Sequence, residues 1–412
     1  MTTPIRRYLM VTKELPPPRK AIGIDQLIAI ADRAEATLAQ LRDDLLEPWP
    51  RKMAPMLTAS RVAKLCKIER TQIQYLCTRG NKKGEYPTGT LTGNGRNREF
   101  TLAEAQQFIR LAAPYKRRPE GALGLAMAIG NFKGGVGKTT SAVAIAQGLT
   151  LHGHKVLLID LDPQASSTTL MGYVPTPEVT EEMTVMPLVY EEQPDLNYAI
   201  LPSYWDNLDF IPACPALFGA DFYLPNRQSK DPNYQFWQVL ERAMGPIREK
   251  YDVIVIDTPP SLAYLATSCF MSSDGLIVPL PPETLDYASS ASFFRQFADL
   301  FKALADDRDV QKEFAFISIF LSKVKPRVDA TDVVRSWIQQ TYPELLGRAE
   351  IQDSDVVKNA AAEFKTIYDV QALGQYTRAI DSFDAMVDEI EGHIQGAWAA
   401  QLLKEKEKAN VE

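Results

Sequence analysis

Between Ile24 and Leu46 the apolar residues Leu27, Ile30 with Ala31, Ala34, Leu38, Leu41 and Leu45 recur at spacings of three and four. One stripe on that period predicts a helix, and Pro48 and Pro50 close it. The stripe must be covered, either by a second copy of the chain or by its own chain, and both remain open. Residues 1–22, with Pro16-Pro17-Pro18 in a basic stretch, have no such period and read as a disordered tail.

A different rhythm follows over residues 56–113. Thr58 is placed to cap a short helix with Val62, Ala63 and Leu65 inward. After a turn at 66–68, Ile73, Leu76 and Cys77 mark the inner face of a second helix over Arg70–Thr78, which Gly80 closes. Thr90–Thr92 and Arg98–Phe100 flank Asn94-Gly95, a strong hairpin signal. Thr101 and Glu104 form a capping box for a third helix over Leu102–Ala112. Helix, tight turn, helix, hairpin, helix is the order of a winged helix-turn-helix. In such a module the second helix enters the major groove and the wing follows phosphates. Arg70, Thr71, Gln74 and Thr78 are the outward residues that would reach bases, and Arg96 and Arg98 those that suit phosphates.

Beyond a basic linker at 115–120, short apolar runs alternate with helical stretches. The expected strands are Leu125–Gly130, Lys155–Leu161, Leu208–Pro212, Val253–Asp257, Gly275–Pro279 and Phe314–Phe320. Near-continuous apolar strands between helices imply an α/β fold, a mostly parallel, doubly wound sheet. Three regions are therefore expected: 1–50 (tail and helix), 51–118 (winged helix-turn-helix) and 119–412 (the sheet domain).

Composition narrows the picture. With 45% hydrophobic and 24% charged residues among 412, the chain is an ordinary globular one. No run of about 18 apolar residues exists and no secretory signal opens the chain, so a cytoplasmic protein is expected. Cys66, Cys77, Cys214 and Cys269 are scattered without a CxxC pair, against a disulfide framework and against a zinc or iron–sulfur site built from this chain alone. The net charge of -7 is uneven: residues 51–118 carry 15 Lys/Arg against Glu69, Glu85, Glu99 and Glu104, and the excess acid lies beyond. A basic segment beside an acidic body is the electrostatic footprint of nucleic-acid contact.

Lys133-Gly134-Gly135-Val136-Gly137-Lys138-Thr139-Thr140 directly follows the first strand and opens a helix, the context of a phosphate-binding loop. Its glycines permit conformations and close approach that a β-carbon would block. Successive N–H groups, Val136 included, then face phosphate oxygens at a helix N-terminus. Lys138 is placed for the β- and γ-phosphates, the Thr139 hydroxyl for Mg²⁺ and Thr140 for an α-phosphate, so ATP and Mg²⁺ are the expected ligands. Val253–Ser261 is an apolar strand ending in Asp257, a Walker B-like carboxylate for Mg²⁺, directly or through water.

The loop departs from GxxxxGK[ST]: Phe132 stands at the first glycine position and Lys133 is a second lysine. This resembles the deviant Walker A motif of ParA/MinD-type P-loop ATPases. Asp160-Leu161-Asp162-Pro163-Gln164 is similar to the same family's DxDPQ motif. The resemblance spans roughly residues 125–390. It implies that Lys133 crosses a dimer interface to the other subunit's ATP, that Asp162 orients or activates the attacking water, and that Asp160 lies near the magnesium behind its ligands.

Other features choose the branch. Ile390, Ile394, Ala397 with Trp398, and Leu402 form a stripe near the C-terminus, but Lys404–Glu412 is heavily charged, so the stripe reads as packing rather than as the membrane-seeking helix of a MinD-like protein. The cysteines do not suit a nitrogenase reductase, and Tyr368 and Tyr376 alone do not suit a tyrosine kinase. The chain therefore resembles the large ParA subclass with an N-terminal helix-turn-helix. That resemblance implies a homodimer, a ParB-like centromere-binding partner, non-specific DNA binding with ATP, operator binding with ADP, nucleoid association and no membrane. Lys323, Lys325 and Arg327 are the expected non-specific DNA patch, with Arg348, Lys358 and Arg378 behind them. A nucleotide-sensing repressor and a MinD-like positioning ATPase are the alternatives.

Overall fold

The computed structural model describes residues 22–46, 52–93, 95, 97–176, 178–325, 328–370 and 374–411. The expected tail, Pro48 and Pro50, Asn94, Arg96 and Arg327 lie outside them. The chain divides into two compact units, Met1–Trp49 and Pro50–Glu412. In the first, α1 (Ile24–Leu46) is the helix read from the stripe, and its Ile24, Leu27 and Ile30 are exposed.

The second unit begins with β1 (Leu57–Thr58), α2 (Ala59–Cys66), α3 (Arg70–Leu76), β2 (Thr90–Thr92), β3 (Asn97–Phe100) and α4 (Leu102–Ala112). The Thr58 hydroxyl accepts from Arg61 N at 3.2 Å, and Thr101 and Glu104 complete their capping box. The three strands pair antiparallel in the order β1-β3-β2. Lys67, left-handed at φ 56°, makes the turn between α2 and α3. Gly80 has another role than the one expected. The helix ends earlier, at Leu76, and a β-carbon at 80 would meet the Tyr75 ring at 2.6 Å, so the glycine serves close approach.

The larger sheet is built from β4 (Leu125–Ile129), α5 (Lys138–Leu151), β5 (Val156–Asp160), α6 (Ser166–Leu170), α7 (Met186–Val189), β6 (Leu201–Pro202), β7 (Leu208–Ile211), α8 (Ala220–Lys230), α9 (Val239–Lys250), β8 (Val253–Asp257), α10 (Tyr264–Ser272), β9 (Gly275–Leu280), α11 (Thr284–Arg308), β10 (Phe316–Val324), α12 (Asp329–Thr341), β11 (Leu346–Gln352), α13 (Asp355–Ala362) and α14 (Gln375–Val411). Strand order is β11-β10-β9-β4-β8-β5-β7-β6, parallel except for the β6–β7 pair. All six expected strands are present. The two unexpected ones, β6 and β11, are the edges, and edge strands lack the continuous apolar run that marks central ones; β11 reads Leu-Gly-Arg-Ala-Glu-Ile-Gln.

Each sheet face carries its own apolar core. One combines α8–α11 with the sheet. The other combines α5 and α14 with residues of the N-terminal module, among them Val62, Ile73, Phe100 and Phe108. The C-terminal stripe is packed as read: Ile390, Ile394 and Trp398 are buried, and the Trp398 indole donates to Leu123 O at 3.0 Å. Among the described residues no helix is long and apolar enough to cross a membrane.

The candidate nucleotide site and the basic module

β4 delivers the loop to the C-terminal rim of the sheet, and α5 carries it away. Gly135 and Gly137 adopt φ 75° and 98°, the left-handed region that glycine enters freely. Asn131 ties the entry, donating to Pro279 O at 2.9 Å and accepting from Lys133 N at 3.0 Å. From β10, Ser322 Oγ donates to Val136 O at 2.8 Å and the Lys323 ammonium to Gly135 O. These donors fix the two carbonyls. A cavity of about 580 Å³ opens in front, lined by Gly134, Gly135, Gly137, Lys138, Thr139, Thr140 and Asp162. A second, of about 170 Å³, shares Thr140 and runs to Gln352, Asp353 and Ser354 beyond β11.

Three strand-end carboxylates face the loop. Asp160 is fully buried and accepts from Thr168 N at 2.9 Å, Thr168 Oγ1 at 2.8 Å and Asp162 N at 3.1 Å. Asp257, on the neighbouring strand, accepts from Ser167 Oγ at 2.8 Å, while its Oδ1 is buried without a hydrogen-bond partner. Asp162 accepts from Gln164 N at 2.9 Å and lines the cavity. Burial raises the Asp160 and Asp257 pKa values above the carboxylate range; the Asp257 charge adds to the shift at Asp160, and the Thr139 and Ser167 hydroxyls oppose it at Asp257. Burial also lowers Lys138, against the pull of Asp257 and Asp162. Ala165, left-handed at φ 54°, turns α6 so that Ser167 and Thr168 reach these acids. Such a conformation at alanine costs about 1–2 kcal/mol and marks a constrained site.

The second lysine has a partner that no local motif announced. Lys133 Nζ lies 2.7 Å from the buried Asp286 in the first turn of α11, and Phe132 packs on Phe293 of that helix at 4.5 Å. Ser167, Thr168, Ser322 and Asp286 all escaped the sequence reading. Only the Ser-Ser-Thr-Thr run after Gln164 offered a signal for any of them.

The expected DNA contacts are not gathered in one place. Arg70, Thr71, Gln74 and Thr78 share the exposed face of α3, beside exposed Tyr75 and Arg79. The Arg98 guanidinium is turned onto Thr88 O. Lys323 donates to Gly135 O and lines the cavity, Lys325 pairs with Glu283 at 2.7 Å and Lys358 with Asp353 at 2.8 Å. Much of the module's positive charge is directed inward. Arg61 grips Asp384 with both terminal nitrogens; Lys64 pairs with Asp381, Lys67 with Asp388 at 3.2 Å and buried Lys116 with buried Glu391 at 2.6 Å. One acidic face of α14 thus accounts for four of the fifteen basic residues.

Residues 125–309 match a family model described as an AAA domain. A Sinorhizobium fredii (strain NBRC 101917 / NGR234) protein bearing the name "Putative replication protein A" is 25% identical over 92% of this chain and 96% of its own. Protein SopA of Escherichia coli (strain K12) is 28% identical over 82% of this chain and 86% of its own. Among solved structures, one named "Partition Protein" superposes with a TM-score of 0.59 at 21% identity, covering 90% of this chain and 98% of that one, and shares its fold. These full-length relatives thus bear the names of replication and partition proteins, and the sheet domain carries the match to the AAA-domain model.

Proposed function

We propose that the chain is an ATP-hydrolysing DNA-segregation protein. The observation that carries this reading is the phosphate loop with two lysines: Lys138 lines the cavity together with Asp162, and Lys133 pairs with Asp286 of α11. Phosphates occupy the larger cavity against the loop N–H groups and Lys138, and the base extends past Thr140 into the smaller one. The orphaned Oδ1 of Asp257 and the raised pKa values of the buried pair suit a divalent cation, which would be held by Thr139 and Asp257 with Asp160 behind them. Mg²⁺ bound there neutralises phosphate charge. Asp162 orients the attacking water. Lys133 leaves Asp286 and reaches the phosphates of a second copy, stabilising the charge that grows as the terminal phosphoryl departs. The ATP-bound homodimer binds DNA without sequence preference. A ParB-like partner stimulates hydrolysis, and with ADP the α3 face binds an operator and represses the operon. The cycle belongs in the cytoplasm, on the nucleoid.

A nucleotide-sensing repressor is the second reading. It is favoured by the open face of α3 beside the engagement of Lys323 and Lys325 elsewhere. DNA binding with ATP and with ADP, on random and upstream DNA across a salt series, separates the two. Random DNA bound only with ATP, with an affinity that falls steeply with salt, supports segregation. Upstream DNA bound alone, with no ATP-dependent binding to random DNA, sinks it and leaves the repressor.

A further inference from the structure

Lys52, just before β1, lies far from the phosphate loop in sequence, yet its side chain is only 8% exposed. Its ammonium donates to Leu170 O at 2.7 Å and Phe364 O at 3.0 Å, pairs with Asp369 at 2.8 Å and stands 4.4 Å over the Tyr204 ring. Leu170 ends α6, the helix whose Ser167 and Thr168 hold the two buried aspartates. Phe364 follows α13 and sits left-handed at φ 53°, a conformation that a non-glycine residue keeps only where its surroundings hold it. Both residues line the larger cavity. Asp369 is itself fixed, accepting from Tyr204 Oη at 2.6 Å and Thr366 N at 2.8 Å.

We infer that Lys52 is a positioning residue for the nucleotide site, a clamp by which the N-terminal module holds together two segments of the cavity wall. The inference rests on the nucleotide-binding reading above and goes beyond it. Removing the module removes the clamp, so nucleotide affinity is not a property of the sheet domain alone. A buried ammonium with two carbonyl acceptors makes charge-assisted hydrogen bonds, which are stronger than neutral ones.

The test uses the full chain with Lys52→Met, which keeps the apolar stem, and Lys52→Arg, which keeps the charge. Binding of ADP and of ATP is measured by titration calorimetry. Hydrogen exchange is followed over 165–172 and 360–370 without nucleotide. Lys52→Met is expected to weaken both nucleotides about tenfold, the size of a lost charged hydrogen bond. It should also speed exchange in both segments, and Lys52→Arg should recover part of each effect. Unchanged affinity in Lys52→Met, with or without faster exchange, overturns the inference. If Lys52→Met fails to fold, wild-type affinity in Asp369→Asn, which weakens the same ion pair, overturns it instead. A wild-type chain that binds neither nucleotide refutes the proposed function and this inference with it, and the wild-type titration alone identifies that outcome.

Discussion

The phosphate loop and the basic module both concentrate charge, and they use it in opposite ways. Around the loop, Asp160 and Asp257 are buried together with no cation close enough to relieve them fully, so they resist ionising. On α14, Asp384 is less deeply buried, its side chain 14% exposed, and Arg61 grips it; burial pushes its pKa up and the guanidinium prevails, holding it below the usual range. Glu391, with Lys116, His152 and His154 around it, is likewise held well below. At the loop the buried carboxylates lack a full counter-charge, whereas four of the module's cations, Arg61, Lys64, Lys67 and Lys116, are paired within the fold. Net charge alone cannot tell such regions apart.

The largest effect expected from breaking this contrast is at the loop. Lys138→Ala removes the buried ammonium and should reduce ATP affinity or turnover at least about a hundredfold, read by calorimetry and phosphate release. Arg61→Ala comes next. It leaves the partly buried Asp384 with only Tyr368 Oη at 3.1 Å and Lys64 at 3.6 Å, which costs about 1–3 kcal/mol and lowers the melting temperature. The loss should depend on pH. Asp384 has a depressed pKa, so its contribution is complete above about pH 4 and disappears as pH falls through the folded value. The melting difference between Arg61→Ala and wild type should therefore shrink on acidification. Asp160 and Asp257, with raised pKa values, have the opposite sign: their stabilising contribution is full below about pH 4 and is lost as pH rises. Asp257→Asn should accordingly stabilise the nucleotide-free chain more at pH 8 than at pH 5. The smallest effect belongs to Lys325→Ala. Its pair with Glu283 is exposed, and such pairs contribute about 0–1 kcal/mol. Melting temperature should barely move, and an unchanged salt slope for random DNA would remove Lys325 from the DNA-contacting set.

The loop, the strand-end acids and the central strands were legible because their function follows from local order. A glycine beside a lysine at a strand end sets backbone N–H groups toward a phosphate whatever the rest of the chain does. The hairpin, both N-caps and the packed C-terminal stripe were legible for the same reason. The surroundings of Lys323 were not legible because they are set by a left-handed turn inside β10, where the pairing with β11 slips between Leu321 and Val324. A sequence shows three cations near one another there, and the fold aims one at Gly135. Lys52 with Asp369, Lys133 with Asp286 and Arg61 with Asp384 join residues far apart in the chain, and no spacing rule reaches them. The count of fifteen basic residues was right, and its implication was too broad, because α14 takes up four of them.

The acidic face of α14 bears on how such a chain can change. A DNA-binding module joined by a loose tether can be exchanged as a cassette, since nothing outside it has been fitted to it. Here Asp381, Asp384, Asp388 and Glu391 are fitted to Arg61, Lys64, Lys67 and Lys116. A foreign module grafted at residue 118 would meet a row of carboxylates without these cations opposite, Glu391 buried and Asp384 partly so. Chimeras should tolerate the exchange only when the α14 face is rewritten with it, so the exposed side of α3 is easier to alter in place than the module is to replace whole.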